Sequence, residues 1–228
     1  VTKDMADAEY KKANYQQAIK DYEELLTHGV SSELYYNLGN AYYKVDNITR
    51  ALLNYERASM LDPGNKDIRF NLQFVRNKTI DKYADDNEMF FVTWYKTIVN
   101  IASVDGWAKI SVISVIFALL LLLVYLFCEN VNLRKVGFFG SLAFIGCFIF
   151  SLLFAYQQKY YFENRCGAIA ISPVVNVKKT PSVGNTDEFI IHEGTKVYIT
   201  DRGMKGWIGV RLSDGREGWI LKDQIEEI

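Results

Sequence analysis

Two histidines, three cysteines and a recurrent set of aromatic and amide side chains are the residues from which any chemistry would be built. His28 and His192 lack a cysteine, carboxylate or second histidine at metal-ligand spacing, so both read as surface residues and no metal or other cofactor is expected. Cys166 has no histidine nearby to activate it as a nucleophile, and Cys128 and Cys147 lie in uncharged runs, so no disulfide framework is encoded. The chain has no phosphate loop, dinucleotide fingerprint, nucleophile elbow or zinc-protease pair, and an enzyme is not expected. Asn47-Ile48-Thr49 and Asn77-Lys78-Thr79 match a glycosylation acceptor by composition alone. What remains is binding. Tyr36, Asn40 and Tyr43 stand at i, i+4 and i+7 and share one helix face, with Lys44 beside them. Phe70, Phe74 and Asn77 repeat the pattern 34 residues later, and Lys3, Asp7 and Tyr10 repeat it 33 residues earlier. The resulting groove is aromatic with amide edges, suited to a peptide carrying apolar anchors. Phe70 and Phe74 have a second reading, as residues covered by the apolar segment that follows them.

The elements that position these residues are repeats. Ser32 to Asn65 is a 34-residue unit with Tyr35, Leu38, Gly39, Tyr42, Ala51, Tyr55, Ala58 and Pro63 at positions 4, 7, 8, 11, 20, 24, 27 and 32, and it resembles a tetratricopeptide repeat. Gly39 and Ala51 are small where the two helices of the unit cross, and Pro63 ends the second helix within the turn Asp62-Pro63-Gly64-Asn65. A shift back by 33 residues sets Ala6, Ala18, Tyr22 and Leu25 opposite Gly39, Ala51, Tyr55 and Ala58, so a clipped first repeat precedes it. A shift forward finds only a capping helix, Lys66 to about Lys82, before Asp85-Asp86-Asn87 marks a boundary. The resemblance implies that the concave face lined by each unit's first helix binds peptides or partner helices.

Between Ile110 and Tyr156 the only charged residues are Glu129, Arg134 and Lys135. Ile110 to Cys128 and Val136 to Tyr156 are uncharged runs of 19 and 21 residues, each long enough as a helix to cross about 30 Å of hydrocarbon. The connection of 7 residues, Glu129 to Lys135, forces an antiparallel hairpin and returns the chain to its starting side. Ala143, Cys147, Ser151 and Ala155 form a small-residue stripe on the second run, with Ser111, Ser114 and Ala118 as a matching face on the first. The stripe serves packing within the hairpin or a dimer. Met89 to Ala102 carries Phe90, Phe91, Val92, Trp94, Tyr95, Ile98, Val99 and Ile101 with one lysine, Lys96, and reads as a connector helix at the membrane interface. The basic flanks, Lys96 and Lys109 against Lys159 and Arg165, nearly balance Arg134 and Lys135, so orientation is weakly marked.

From Ala168 to Ile228 the chain reads as short strands divided by hairpin signals at Asp201-Arg202-Gly203 and Asp214-Gly215. Pro181-Ser182, Glu193-Gly194, Gly206-Trp207 with Val210, and Gly218-Trp219-Ile220 make this segment resemble the bacterial SH3-like barrel. Such modules usually stand outside the cytoplasm and attach to cell wall or protein. Trp207 and Trp219 are either ligand platforms or core.

The expected organisation is multidomain: tetratricopeptide repeats at 1–85, an interfacial amphipathic connector at 86–105, transmembrane helices at 106–128 and 136–156 joined by a loop at 129–135, a juxtamembrane linker at 157–167 and a small all-β SH3-like barrel at 168–228. In that order these parts resemble the BatE-type family of the Bacteroides aerotolerance operon. The resemblance implies a non-enzymatic scaffold of the bacterial inner membrane, with von Willebrand factor A-domain membrane proteins and a MoxR-type ATPase as partners. Val1 in place of Met means either a removed signal peptide or a trimmed chain, and together with the barrel type it favours both domains outside the cytoplasm, on the same side. The alternative is a cell-wall accessory in which the barrel binds peptidoglycan and the repeats recruit a hydrolase. Net charge is −1, so no nucleic-acid partner is expected.

Overall fold

The computed structural model describes residues 1–82, 90–164, 166–182, 184 and 186–228. The boundary Asp85-Asp86-Asn87, residue Met89 of the expected connector, and Arg165 lie outside the described residues. The chain divides into two compact units, one from Val1–Phe90 together with Arg165–Ile228, the other from Phe91–Asn164.

The first unit opens with helices α1 (Lys3–Lys11), α2 (Tyr15–His28), α3 (Ser32–Lys44), α4 (Ile48–Leu61) and α5 (Lys66–Arg76). Polar caps set where four of them begin: the side-chain oxygens of Thr2, Ser31, Asn47 and Asn65 accept from the amides of Met5, Leu34, Arg50 and Ile68. The turns ending α1 and α3 are copies of one another. Asn14 N donates to Glu9 O and Ala13 N to Tyr10 O, while Asn47 N donates to Tyr42 O and Asp46 N to Tyr43 O. In both, the residue just past the helix end is left-handed, Ala13 at φ 64° and Asp46 at φ 60°.

Ala6, Ala18, Ile19, Tyr22, Leu38 and Ala41 form a core shared by α1, α2 and α3. Gly39 has a packing reason: a Cβ there would stand 2.8 Å from the Tyr55 ring.

The second part of this unit is a seven-stranded antiparallel sheet. Its strands are β1 (Gly167–Ala170), β2 (Val174–Lys178), β3 (Asp187–His192), β4 (Lys196–Asp201), β5 (Trp207–Arg211), β6 (Glu217–Leu221) and β7 (Ile225–Glu227), in spatial order β3-β2-β6-β5-β4-β1-β7. Alternation is visible in β2, where Val175 and Val177 are buried while Val174 and Asn176 are exposed. They join Ile191, Val197, Val210, Leu212 and Ile220 in the sheet's own core.

Sheet and helices are not separate bodies. Ile169 of β1 and Ile228 belong to the same core as Ala51, Leu52, Leu53, Tyr55, Leu72 and Val75. Around that apolar seam runs a ring of carboxylate contacts. Glu56 on α4 is 5% exposed and accepts from Arg76 of α5 and, at 2.8 Å, from Lys196 Nζ of β4. Burial alone would raise the Glu56 pKa, but Lys196 and Arg76 outweigh it and hold the carboxyl below its usual range. Arg50 and Arg57 both reach Glu226, and Thr49 Oγ1 donates to Glu193. Asp81 caps the β3–β4 turn, accepting from His192 N and Thr195 Oγ1, each at 2.7 Å. These bonds outweigh the effect of burial and keep the Asp81 pKa low. Gly194 in that turn sits at φ 83°, and a Cβ would fall 2.7 Å from Thr79 Cγ2, so glycine is required twice over.

The second unit comprises α6 (Phe90–Val99), α7 (Val104–Phe127) and α8 (Val131–Glu163). The last two are long and apolar enough to cross a membrane, with mean hydropathies of 3.0 and 2.3 and few buried residues. Ser111, Ser114 and Ala118 are the buried residues of α7. On α8 the face turned inward is Gly137, Ser141, Ser151 and Gln158, whereas Ala143 and Cys147 are exposed, so only part of the stripe read from the sequence lies in the helix contact. A Cβ at Gly137 would meet Leu121 O at 2.7 Å and Tyr125 N at 2.8 Å. Backbone meets backbone there.

Candidate functional site

The face shared by α1, α3 and α5 holds the binding residues read from the sequence, and it divides into two parts. In the first, Asp7, Tyr10 and Lys11 of α1, Tyr22 of α2, and Asn37 and Asn40 of α3 line an open pocket of about 210 Å³. Asp7 is its anchor: Oδ1 accepts from Tyr22 Oη at 2.6 Å and from Asn37 Nδ2 at 3.3 Å, and Oδ2 accepts from Lys3 at 2.8 Å. Burial would raise the Asp7 carboxyl, yet the bonds from Lys3 and Tyr22 prevail and hold it ionised below the usual carboxylate range. The Tyr22 phenol is raised, first by burial and then by that carboxylate.

Beside this pocket Asn40 Oδ1 accepts from Tyr55 Oη at 2.7 Å and from Asn71 Nδ2 at 3.1 Å, and Asn71 Nδ2 also donates to Tyr36 Oη at 3.1 Å. The Tyr36 ring packs on Tyr55 with centroids 5.9 Å apart. Tyr36 and Asn40 therefore tie α3 to α4 and α5, and Asn40 also lines the pocket. Asn40 Nδ2 donates to none of the described residues, and Lys11 forms no ion pair among them, so both face the pocket with donors to offer.

In the second part, Tyr43, Phe74 and Phe70 form an aromatic row, with centroids 5.9 Å apart between Tyr43 and Phe74 and 6.4 Å between Phe74 and Phe70. Lys78 caps the row: its Nζ lies 4.7 Å from the Tyr43 centroid and 2.8 Å from Tyr43 Oη. Phe70 is 69% exposed and Phe74 45%. Lys44 and Asn77 are exposed beside these residues. Asn71, Lys11 and Lys78 escaped the reading of the sequence, although the signal was present: the offsets that relate Tyr36 to Lys3 and Phe70 also relate Asn37 to Asn71 and Lys44 to Lys11 and Lys78.

Trp207 and Trp219 are half-buried on adjacent strands. Trp219 pairs with Gly209, two residues beyond Trp207, so the indoles lie diagonally on one face of the sheet, outside its core. Among the described residues no group of three metal-ligating side chains converges.

A tetratricopeptide repeat family model matches residues 32–65, the segment that folds as α3, α4 and the turn after them. Over 58 residues the chain is 36% identical to the Rho guanine nucleotide exchange factor 5 of Mus musculus, a match covering 25% of this chain and 4% of that protein. The helical region thus carries a tetratricopeptide repeat, a module of proteins that are generally non-catalytic adaptors and bind other proteins.

Proposed function

We propose that this protein is a non-enzymatic, membrane-anchored scaffold that holds a peptide segment of a partner in the α1–α3–α5 groove. The observation that carries the reading is the groove: Asn40 and Lys11 offer donors beside an open pocket, and Phe70 and Phe74 offer exposed rings next to it. Amide side chains pair with the backbone of an extended segment, while the rings take its apolar anchors. The helices α7 and α8 cross the bilayer as an antiparallel pair. One core contains residues from before and after that pair, Leu52 and Ile169 among them, which supports both flanking regions standing in one compartment. That compartment is the extracytoplasmic side of a bacterial inner membrane, and the β segment is an SH3-like barrel. The partners in this reading are the von Willebrand factor A-domain proteins and MoxR-type ATPase complex of a Bat-type system.

The test is photocrosslinking from position 74 of the full chain in native membranes. Capture of a von Willebrand factor A-domain protein, lost on adding Phe70→Ala and Tyr43→Ala, is the expected result; an uncrosslinked probe would overturn the groove. Labelling of single cysteines placed at Asn65 and Gly215 should give one answer for both sites. A cell-wall accessory role is the second reading, favoured by the shared face of Trp207 and Trp219, and co-sedimentation with peptidoglycan that Trp219→Ala abolishes would establish it.

A further inference from the structure

Helix α6 divides cleanly around its axis. At 100° per residue, Phe91, Trp94, Tyr95, Ile98 and Val99 fall in one arc, with Thr93, Lys96, Thr97 and Asn100 opposite. Of the apolar arc only Val99 is buried, while Trp94 is 66% and Phe91 52% exposed. The end of α6 is sealed by its neighbours. Val99 O accepts from Trp107 Nε1 of α7 and from Gln158 Nε2 of α8, each at 2.8 Å, and the same amide donates to Ala102 O at 2.8 Å. A helix end in water can leave its last carbonyls to solvent, but one below the water layer needs donors from protein. Gln158 is itself buried, two residues past the uncharged run of α8.

We propose that α6 lies flat in the headgroup layer with its Trp94 side against acyl chains, while Tyr95, which packs on Phe154 and bonds Gln157 of α8, turns toward the hairpin, and that Gln158 and Trp107 fix its depth. The inference rests on the reading of α7 and α8 as membrane-crossing. Lipid is the occupant because the end of α6 is bonded to two helices long and apolar enough to cross a membrane, and because tryptophan prefers the interfacial layer. Gln158 is then a positioning residue: it holds the end of α6 against the hairpin.

The test is spin-label accessibility in the full chain, reconstituted in phosphatidylcholine and phosphatidylglycerol nanodiscs, with Cys128, Cys147 and Cys166 replaced by serine. Labels are placed through Trp94→Cys, Thr97→Cys on the polar arc, and Leu120→Cys at mid-helix in α7. The expected result is that oxygen reaches the label at 94 while a water-soluble nickel complex is excluded severalfold relative to position 97. Gln158→Leu should raise nickel access at 94 and leave 120 unchanged. Ready nickel access at 94 in the parent chain overturns the inference, and so does a label at 94 reached by neither reagent, which means protein covers it. Nickel access at 120 instead overturns the membrane-crossing reading beneath it.

Discussion

In the unit of helices and sheet the fully buried side chains include large apolar ones, Tyr22, Leu52, Leu53, Tyr55, Ile169 and Ile220 among them, and charges gather at the seams. In the α7–α8 pair the buried residues are Ser111, Ser114, Ala118, Gly137, Ser141, Ser151 and Gln158, while Leu119, Phe139 and Leu153 stand outward. The same chemistry is sorted in opposite directions because the surroundings differ. Release of apolar surface from water drives the first unit together. On the proposed reading that α7 and α8 cross a bilayer, that force is absent between them, so close approach at small residues and hydrogen bonds from side chains do the holding.

The sharpest way to break this comparison is to delete the same side chain in both units. Leu52→Ala should destabilise the helix and sheet unit by about 2–5 kcal/mol, because it empties a fully buried site in the core that joins α4 to the sheet. Leu119→Ala removes the same atoms from a side chain that is 56% exposed on α7 and should leave unfolding of the full chain in lipid nearly unchanged. Chemical unfolding followed by near-ultraviolet circular dichroism decides it. Equal losses would mean that the α7 surface is covered by protein.

Glycine contacts come next. Gly39→Ala sets a methyl group 2.8 Å from a Tyr55 ring that is itself locked by Asn40, and overpacking of this kind costs about 1–3 kcal/mol. Gly137→Ala meets backbone, so the α7–α8 pair must part locally rather than repack. A thermal melt should register the first change in the helix and sheet unit. The second should appear as a changed distance between labels on α7 and α8, with the other unit's melt unaltered.

A third contrast is pH. Glu56 and Asp81 have folded pKa values below their usual ones, so the stability they contribute is fully present above the unfolded values, 4.5 for the glutamate and 3.8 for the aspartate, and is lost as pH falls through the folded ones. Glu56→Gln with Asp81→Asn should lower stability at pH 7 by about 1–2 kcal/mol for each site, a figure reduced by the solvent that reaches Lys196 and Arg76. The double variant should also flatten the acid slope of unfolding between about pH 5 and pH 3. A slope as steep as that of the parent chain would assign the acid sensitivity to other carboxylates.

Periodicity carried much of the architecture. The 34-residue spacing at Gly39, Ala51 and Tyr55, the uncharged runs and the Asp214-Gly215 turn each announce an element through nearby residues. The seam between helices and sheet is different in kind. Ile169 and Ile228 look like ordinary strand residues, and nothing local says that they complete the core around Leu52 more than 100 residues away. The groove falls between these cases. Helical spacing put Tyr36, Asn40 and Tyr43 on one face, but only the coordinates show Asn40 bonded to Tyr55 and Asn71, contacts that depend on how three helices lean together. The small-residue stripe of α8 reached the contact only in part for a related reason: a four-residue step drifts around a straight helix, so Ser151 lies on the contact face with Gly137 and Ser141 while Ala143 and Cys147 do not.

The smallest expected effect is a gain. Both turns that close the helical pairs hold a residue with a Cβ in the left-handed region, Ala13 at φ 64° and Asp46 at φ 60°. That conformation brings the Cβ close to the following carbonyl and costs roughly 1 kcal/mol or more for a residue other than glycine or asparagine. Glycine gives up more chain entropy on folding, which offsets part of the relief. Ala13→Gly should therefore stabilise the unit by about 0.5–1 kcal/mol, and Asp46→Gly by less, because an aspartate tolerates this region better than an alanine. Neither side chain lies in the groove or at the seam with the sheet, so partner crosslinking from position 74 should be unaffected while the melting midpoint rises. A lowered midpoint for Ala13→Gly would show that the methyl group of Ala13 contributes packing that outweighs its backbone strain.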